Sequence, residues 1–422
     1  MKRQPLADFK KYTNAGLFLA VSTAGILLTF LYWILSGNGT AVFDWLVLGE
    51  SNSWELADFF RHIGYSADLR QTYWVSRDAC FPPLTYLFFH LLYRMNIAAF
   101  SGLQADDWQG FVLTPYAILL YVMFVAVFAI LFLASAKRIT GLRTEQAVAL
   151  GIVLLLSYPF FTALERGNPV LMVVLLLTVA LYWMQSEVRW KREAALILIA
   201  IAVNLKLYPV ILGLLYLKER RIRELLRLIL YTALLFVVPC VFTGGFPGFL
   251  QYMDVLLHGH YNAGFMREWS SIRGACYIVG ARLGLTDSGC VRMGQILENL
   301  FLALSVFGIW KSRKRWVEVF FLSAIMCFYM PTSWVYNTVY LVLPLLFFLR
   351  EEGAKENRGR VYAVLFGLIF TLPVWCLTWN PGAWVCWVAY VMWGKMWISA
   401  VLSRGSRHTI ADDNCGGTIE EK

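Results

Sequence analysis

One acidic residue stands among aromatic and basic neighbours in the first long polar stretch, within Asp58-Phe59-Phe60-Arg61-His62. A carboxylate placed there can act as a general base toward a hydroxyl group. The competing interpretation is an ordinary solvated acid, because residues 37–110 contain eight Asp or Glu residues. If Asp58 is catalytic, Arg61 and His62 beside it are candidate substrate-binding residues.

Two cations could bind a phosphate group. Arg166 lies in a tight turn and could contact phosphate through two N–H groups, although pairing with Glu165 explains it equally well. Lys206 interrupts a long apolar stretch and would need an anionic partner there. We therefore predict that Lys206 and Arg166 bind phosphate, with Asn168 and Tyr208 as substrate-binding neighbours.

A later polar segment, residues 243–293, contains His258-Gly259-His260 and the motif Arg267-Glu268-Trp269-Ser270-Ser271-Ile272-Arg273, with two arginines. The His-x-His spacing suggests a metal, but no third ligand has supporting spacing, so ordinary loop histidines are preferred. No metal and no cofactor is predicted. Both arginines are candidate substrate-binding residues. The chain has no Walker loop, dinucleotide fingerprint, nucleophile elbow or zinc-protease helix.

The composition requires that lipid surrounds most of the chain. Of the 422 residues, 59% are hydrophobic and only 15% are charged, against roughly 25% charged in soluble proteins. A soluble fold has too little interior to bury so much apolar surface. The net charge of +10 falls in short clusters between apolar stretches. That pattern is typical of membrane loops and excludes nucleic acid as a partner.

Eight uncharged stretches are long enough, or nearly so, for the roughly 20 residues that a membrane-spanning helix needs. They are Ala15–Ser36, Phe111–Ala136, Gln146–Leu164, Pro169–Ser186, Leu228–Met253, Asn299–Trp310, Val319–Leu349 and Val361–Gly394. The last two can turn back, at residues 331–333 and 380–382. The first is longer than a signal-peptide core of roughly 7–15 residues, which predicts an uncleaved anchor. Leu84–Tyr93 is short, and a re-entrant or interfacial helix is expected there.

Clusters of lysine and arginine set the orientation. Seven clusters hold most of the 37 basic residues, and one topology places all seven in the cytoplasm with both termini. The clusters begin at Lys2, Lys137, Arg189, Lys218, Lys311, Arg350 and Arg404. Residues 37–110 and 243–293 then lie outside. We expect a single membrane domain, residues 1–402, and a cytoplasmic tail, residues 403–422.

This topology forces the apolar segment Ala194–Leu217 to enter and return, because basic clusters flank it on the same side. Each half has about 11–12 residues, too few for a full crossing at 1.5 Å per residue. A short helical hairpin with its apex at residues 204–209 is therefore predicted. The alternative is a single span in which Lys206 extends toward the interface.

The segment Val319–Leu349 has the same pattern, with Ser333, Tyr336 and Asn337 near its apex. Irregular polar backbone at membrane depth is tolerated only where it lines a cavity within the protein or filled with water. The two hairpins therefore predict a buried polar site that opens to the outside.

Four motifs in order resemble those of glycosyltransferase family 87, over roughly residues 50–230. Asp58-Phe59 followed by Phe81-Pro82-Pro83-Leu84 is similar to the family's "DF … YPPL" signature, with Phe81 where tyrosine is more usual. Arg166-Gly167-Asn168 resembles the family's turn between early spans. Lys206-Leu207-Tyr208-Pro209 resembles its "K-x-x-P" helix start. The C-terminal half is similar only in hydropathy.

The resemblance implies an all-α polytopic enzyme of the GT-C superfamily in the cell (inner) membrane, with about 10–13 transmembrane or re-entrant helices. It implies transfer of a mannose-like hexose or a pentose from a polyprenyl-phosphate donor. The acceptor would be a lipid-linked or cell-envelope glycan on the outer face, with donor, acceptor and membrane lipids as the partners. The family's base would be Asp58, and Lys206 or Arg166 would stabilise the phosphate leaving group.

Two other functions remain open from the sequence. An O-antigen-type polymerase or ligase shares the polytopic plan and lipid-phosphate substrates, and would use arginines of a late outer loop such as Arg267 and Arg273. A transporter also uses broken helices around a central site, although no repeated half is seen. Substitution of Asp58 distinguishes these functions, since only the Asp-dependent transferase needs its carboxylate.

Overall fold

The chain is helical throughout the part that the computed structural model describes, residues 13–36, 56–95, 114–258, 270–329, 333–356, 359–372 and 381–402. No β-strand occurs within these ranges. Four helices are long and apolar enough to cross a membrane: Asn14–Leu35, Pro115–Thr140, Ile222–Phe242 and Asp287–Lys311. The predicted fold class, an all-α polytopic membrane protein, is confirmed.

The helices vary widely in length. In chain order they are α1 (Asn14–Ser36), α2 (Ala57–Tyr65), α3 (Thr72–Val75), α4 (Pro83–Met95), α5 (Pro115–Thr140), α6 (Thr144–Leu155), α7 (Tyr158–Arg166), α8 (Val170–Trp183), α9 (Arg189–Leu205), α10 (Gly213–Lys218), α11 (Ile222–Phe242), α12 (Gly245–His258), α13 (Ile272–Arg282), α14 (Asp287–Lys311), α15 (Arg315–Phe328), α16 (Val342–Glu352), α17 (Arg360–Ile369) and α18 (Pro381–Leu402). Two 3₁₀ helices, Tyr208–Leu212 and Val335–Leu341, precede α10 and α16.

The predicted span Gln146–Leu164 is not one straight helix. It consists of α6 and α7, which are bent by 66° relative to each other. Proline has no backbone N–H, so Pro159 cannot donate to the carbonyl of Leu155, and the helix cannot continue through it. Pro159 instead lies in the first turn of α7, where proline is tolerated. The break turns α7 and brings its C-terminal Arg166 toward the candidate site.

The first short hairpin returns as predicted. After α9 the backbone becomes extended at Lys206, and the 3₁₀ helix and α10 lead back. An ion pair of 3.7 Å between Arg192 Nε and Glu224 Oε1 joins the chain before the hairpin to the chain after it. Both ends of the segment therefore lie at the same end of the bundle, which excludes a single crossing.

The second hairpin is built in the same way from α15, the 3₁₀ helix Val335–Leu341 and α16. Lys314 Nζ lies 2.8 Å from Glu352 Oε1, so the start and finish of this segment are also adjacent. Of the predicted turn at residues 331–333, only Ser333 lies within the described residues. The return itself is confirmed.

Helix α4 closes over the first hairpin. With 13 residues it extends about 20 Å, less than the roughly 30 Å of hydrocarbon. The hydroxyl of Thr85 donates to the carbonyls of Asn204 (3.1 Å) and Leu205 (2.9 Å). These carbonyls end α9 and would otherwise lack helical partners. The expectation that this segment is too short to span agrees with the structure.

The ends of the helices gather in two groups. At the basic end, Lys218 Nζ donates to Ser312 O (2.6 Å) and the backbone N–H of Asn14 donates to Lys355 O (3.0 Å). At the opposite, apex end, defined by Asp58, Arg166, Lys206 and Asn337, segments predicted to face outside meet the two hairpin apices. The described residues of the clusters that begin at Lys218, Lys311 and Arg350 are thus separated from the outer segments, as the topology requires.

Candidate active site

The short amphipathic helix α2 carries Asp58 into the apex end. Its apolar residues Phe59, Phe60 and Ile63 are buried in a small aromatic core, separate from the main core of the bundle. The backbone N–H of Leu56 donates to Glu165 O (2.7 Å) and ties the start of α2 to the end of α7. Asp58 therefore lies in the first turn of a fixed helix, where the helix dipole favours negative charge.

Two residues of the Arg166-Gly167-Asn168 turn hold the Asp58 carboxylate. Arg166 Nη2 lies 3.0 Å from Asp58 Oδ1, and Asn168 Nδ2 donates to Asp58 Oδ2 over 2.7 Å. Gly167 ends α7 with a left-handed φ of 63°, and a Cβ there would lie 2.7 Å from that of Phe59. Glycine is required at this position because it permits both the turn and the close approach of α2.

Lys206 is buried beside this group, with 6% of its surface exposed. Its Nζ donates to Asn168 Oδ1 (3.1 Å) and Asn337 Oδ1 (2.9 Å), and lies 4.6 Å from the ring centre of Tyr336 and 5.3 Å from that of Tyr208. Among the described residues no carboxylate forms an ion pair with it. Amide oxygens and aromatic rings only partly offset the cost of burying a full charge.

One amide connects the acid and the lysine. Asn168 donates through Nδ2 to Asp58, and its Oδ1 accepts from Lys206 Nζ and from the backbone N–H of Val170 (2.9 Å). The three contacts fix the orientation of the side chain. The predicted residues Asp58, Arg166, Asn168, Lys206 and Tyr208 are therefore brought together by the fold.

The second hairpin completes the group. Asn337 accepts from Lys206 and donates through Nδ2 to Ser333 Oγ (2.9 Å), while the guanidinium of Arg166 lies 5.5 Å from the ring centre of Trp334. The sequence placed Ser333, Tyr336 and Asn337 near an apex but not among the site residues. The signal was present, since this run is polar and aromatic within an otherwise apolar stretch.

Electrostatics keeps Asp58 ionised. Burial raises the pKa of Asp58, but the positive charge of Arg166 and the hydrogen bond from Asn168 outweigh it and hold that pKa below its ordinary value. For His62, four residues later, burial lowers the pKa to about 3. His62 is therefore neutral at physiological pH, and its Nδ1 shares a hydrogen bond with Tyr86 Oη (2.9 Å). Of these two side chains, the Asp58 carboxylate is the charged group that can accept a proton.

The remaining predicted residues lie apart from this group. Arg61 pairs with Asp78 at 2.6 Å, and the guanidinium of Arg273 is held by Glu298, with Nε 3.0 Å from Oε2. Arg267 lies outside the described residues. Thus Arg273, the one of the two candidate arginines that the structure describes, forms an ion pair between α13 and α14.

No group of three His, Cys, Asp or Glu residues within the described ranges is placed to hold a metal ion. His258 instead lies 2.9 Å from Asp254 on the same helix. His260, the other member of the His-x-His motif, is outside the described residues.

The family model for glycosyltransferase family 87 matches residues 80–335, more than half of the chain. The chain belongs to glycosyltransferase family 87. No curated protein matches it. This family 87 protein is therefore a glycosyltransferase with membrane helices, and the matched region includes Arg166, Asn168 and Lys206. Asp58 precedes that region, so its role is argued from its contacts.

Proposed function

We propose that this family 87 glycosyltransferase transfers a hexose or pentose from a polyprenyl-phosphate donor to a hydroxyl group of a lipid-linked or cell-envelope glycan. The observation that carries the proposal is the environment of Lys206, a buried cation whose described contacts are neutral amides and aromatic rings. A buried charge without a direct ion pair is costly, and an anionic ligand would offset that cost. A lipid phosphate supplies the anion.

The reaction assigns a role to each charged group. The acceptor oxygen forms a bond to the anomeric carbon while the bond from that carbon to the phosphate oxygen breaks. The leaving phosphate gains one negative charge, which Lys206 and Arg166 stabilise more strongly in the transition state than in the ground state. The proton of the acceptor hydroxyl passes to Asp58 and later to water. Asn168 forms hydrogen bonds with both Asp58 and Lys206 and so fixes the position of the base relative to the cation.

Arg166 has a double role in this scheme. Its ion pair with Asp58 keeps the carboxylate charged in the absence of substrate. A phosphate that binds between Lys206 and Arg166 would draw part of that interaction away from Asp58. The pKa of the carboxyl would then rise toward a value better suited to accept a proton.

The proposed location is the outer face of the inner membrane, with the protein as a multi-pass component. The apex end is opposite the basic clusters, which the positive-inside rule assigns to the cytoplasm. A lipid-linked donor suits that face, because nucleotide sugars are cytoplasmic and a lipid can carry the sugar across.

A donor panel tests the proposal. The purified full-length protein in lipid vesicles would receive a labelled polyprenyl-phosphate hexose, a polyprenyl-phosphate pentose or the matching nucleotide sugars, each with extracted envelope glycan as acceptor. Transfer from a polyprenyl-phosphate sugar and not from nucleotide sugars is expected. Transfer from a nucleotide sugar without any lipid donor would refute the proposed donor class. Mass spectrometry of lipid-linked glycans from cells with and without the gene would identify the product.

A further inference from the structure

A cavity of about 860 Å³ lies at the basic end of the bundle. It is formed where α14 and α18 end and where α15 and α17 begin. Helix α15 separates it from the apex end, and the 14 residues of α15 extend about 20 Å at 1.5 Å per residue. This cavity is therefore distinct from the site around Asp58 and Lys206.

Its lining carries positive charge without a matching negative charge. Four of the lining residues are Lys218, Lys311, Arg313 and Lys314, and none is acidic. Lys218 and Lys314 form ion pairs with neighbouring glutamates outside the lining. For Lys311 and Arg313, in contrast, no ion pair with a carboxylate occurs within the described ranges, and Lys311 Nζ lies 5.2 Å from the Phe307 ring centre. Two positive charges thus remain available to an anion.

A tryptophan forms one apolar wall of the cavity. Trp316 lines it and is 2% exposed, with its ring packed at 5.1 Å from those of both Phe348 and Tyr362. Its backbone N–H donates to the side chain of Glu351. Its indole Nε1 is closed off from solvent, so an anion in this cavity would contact the cations and not the indole.

The apolar surface beside the cavity indicates what kind of ligand enters. Phe307 and Trp310 on α14 are 42% and 46% exposed, and Ile398 on α18 is 53% exposed. Helix α14 is one of the four candidate spans. Tryptophan and basic residues together at the end of a spanning helix are typical of the level of lipid headgroups.

We infer that this cavity binds the phosphate of an anionic phospholipid headgroup. Lys311 and Arg313 contact the phosphate, and the acyl chains lie along Phe307 and Ile398. The shared chemistry is a phosphate group, and the attached apolar surface favours the lipid over free phosphate. The site is independent of the proposed sugar transfer.

Native mass spectrometry of the detergent-purified full-length protein tests this inference. The protein is titrated with phosphatidylglycerol or with the zwitterionic phosphatidylcholine, and the apparent Kd of each is measured. We expect tighter binding of phosphatidylglycerol, weakened at least about fivefold in the double variant Lys311→Ala/Arg313→Ala.

The matched control is Lys137→Ala/Arg138→Ala, which removes two cations at the end of α5. Its phosphatidylglycerol affinity should stay within about twofold of the wild type. Equal losses in both double variants would overturn the inference, since general surface charge would then explain the binding. Displacement of the lipid by millimolar inorganic phosphate would reassign the cavity to free phosphate.

Discussion

The two ends of the bundle differ in whether their lysines form direct ion pairs with carboxylates. At the basic end carboxylates pair with the lysines of the hairpins: Lys218 of the first hairpin pairs with Glu318 of the second, and Lys314 before the second hairpin lies 2.8 Å from Glu352 after it. Removal of either partner would leave a charge unpaired at the junction of several helices. These ion pairs hold the feet of the hairpins together, and their role is structural.

At the apex end the balance is positive. Arg166 and Lys206 are both buried, and Asp58 is the carboxylate that forms an ion pair with Arg166. Lys206 contacts amides and rings, including Asn337 from the other hairpin. The same two hairpins are thus neutralised at one end and left cationic at the other. A buried lysine without a direct ion pair is expected to lower the stability of the apex end. Such a position is typical of a binding site for an anionic ligand.

The largest effect should come from removing the base while keeping its shape. Asp58→Asn is expected to lower kcat at least about a hundredfold, because general-base catalysis contributes about 10²–10⁴-fold. Initial rates of sugar transfer at saturating donor would measure it, with protein amount checked by gel filtration.

Two other acids of the first outer segment serve as controls. Asp68→Asn and Asp78→Asn should reduce kcat much less, since Asp68 caps a turn at Arg70 and Asp78 pairs with Arg61. If Asp78→Asn abolished transfer and Asp58→Asn did not, the base would be misassigned. Activity in all three variants would reject an acid-dependent mechanism in this segment.

Removing either apex cation should have the next largest effect. Lys206→Ala or Arg166→Ala is expected to lower kcat at least about tenfold, roughly 1.4 kcal/mol of transition-state stabilisation. Lys206→Arg should rescue only partly, because a guanidinium differs from an ammonium in shape and hydration. The matched variant at the basic end, Arg313→Ala, should transfer sugar at the wild-type rate. Near-normal kcat in both apex variants would remove the phosphate-binding role from them.

The two ends should differ in how much stability the loss of a lysine costs. Lys206→Met removes a buried charge without a direct ion pair but also the hydrogen bonds to Asn168 and Asn337, so the melting temperature without substrate should fall less than in Lys218→Met. Lys218→Met breaks the ion pair with Glu318 and two hydrogen bonds to carbonyls, and should cost about 1 kcal/mol or more. Melting temperatures of the purified variants provide the measurement. A large loss for Lys206→Met would show that the apex lysine is structural.

The smallest effect on turnover should come from His62. Its pKa of about 3 in the folded protein lies below the ordinary 6.5, so the ring stays neutral and kcat should show no His62 inflection between pH 5 and 8. Its unfolded form takes up a proton below about pH 6.5, hence folded stability should fall as pH drops through that value. His62→Gln should change kcat less than about threefold and flatten the melting temperature between pH 6.5 and 5. An inflection in kcat near pH 6.5, lost in the variant, would mean that His62 titrates in the site.

Much of the fold follows from the sequence. Helix length per residue and the flanking basic clusters are local properties, and they predicted both short hairpins and the place of Lys206 at an apex. The bend between α6 and α7 was not predicted, although Pro159 indicates a helix break. The span had been defined from its hydropathy, which does not register a proline. Composition alone was enough for the membrane environment.

The site could be predicted only as separate residues. Asp58, Arg166 and Lys206 were each found by chemistry that is unusual for their surroundings. Lys206 and Asn337 are 131 positions apart in the sequence. A contact over such a separation cannot be predicted from the local pattern of residues. The ion pair of Arg273 with Glu298 could not be predicted for the same reason, since Glu298 lies on the next helix.

The central claim is that the excess positive charge of the apex end binds the phosphate of a lipid carrier. Its most direct test compares the binding of a polyprenyl monophosphate with that of the uncharged polyprenol of equal length, by native mass spectrometry of the full-length protein. The wild type should bind the phosphate at least about tenfold more tightly, and Lys206→Ala should lose most of that difference while Arg313→Ala keeps it. Equal affinity for the two lipids, or the same preference in Lys206→Ala, would contradict the account.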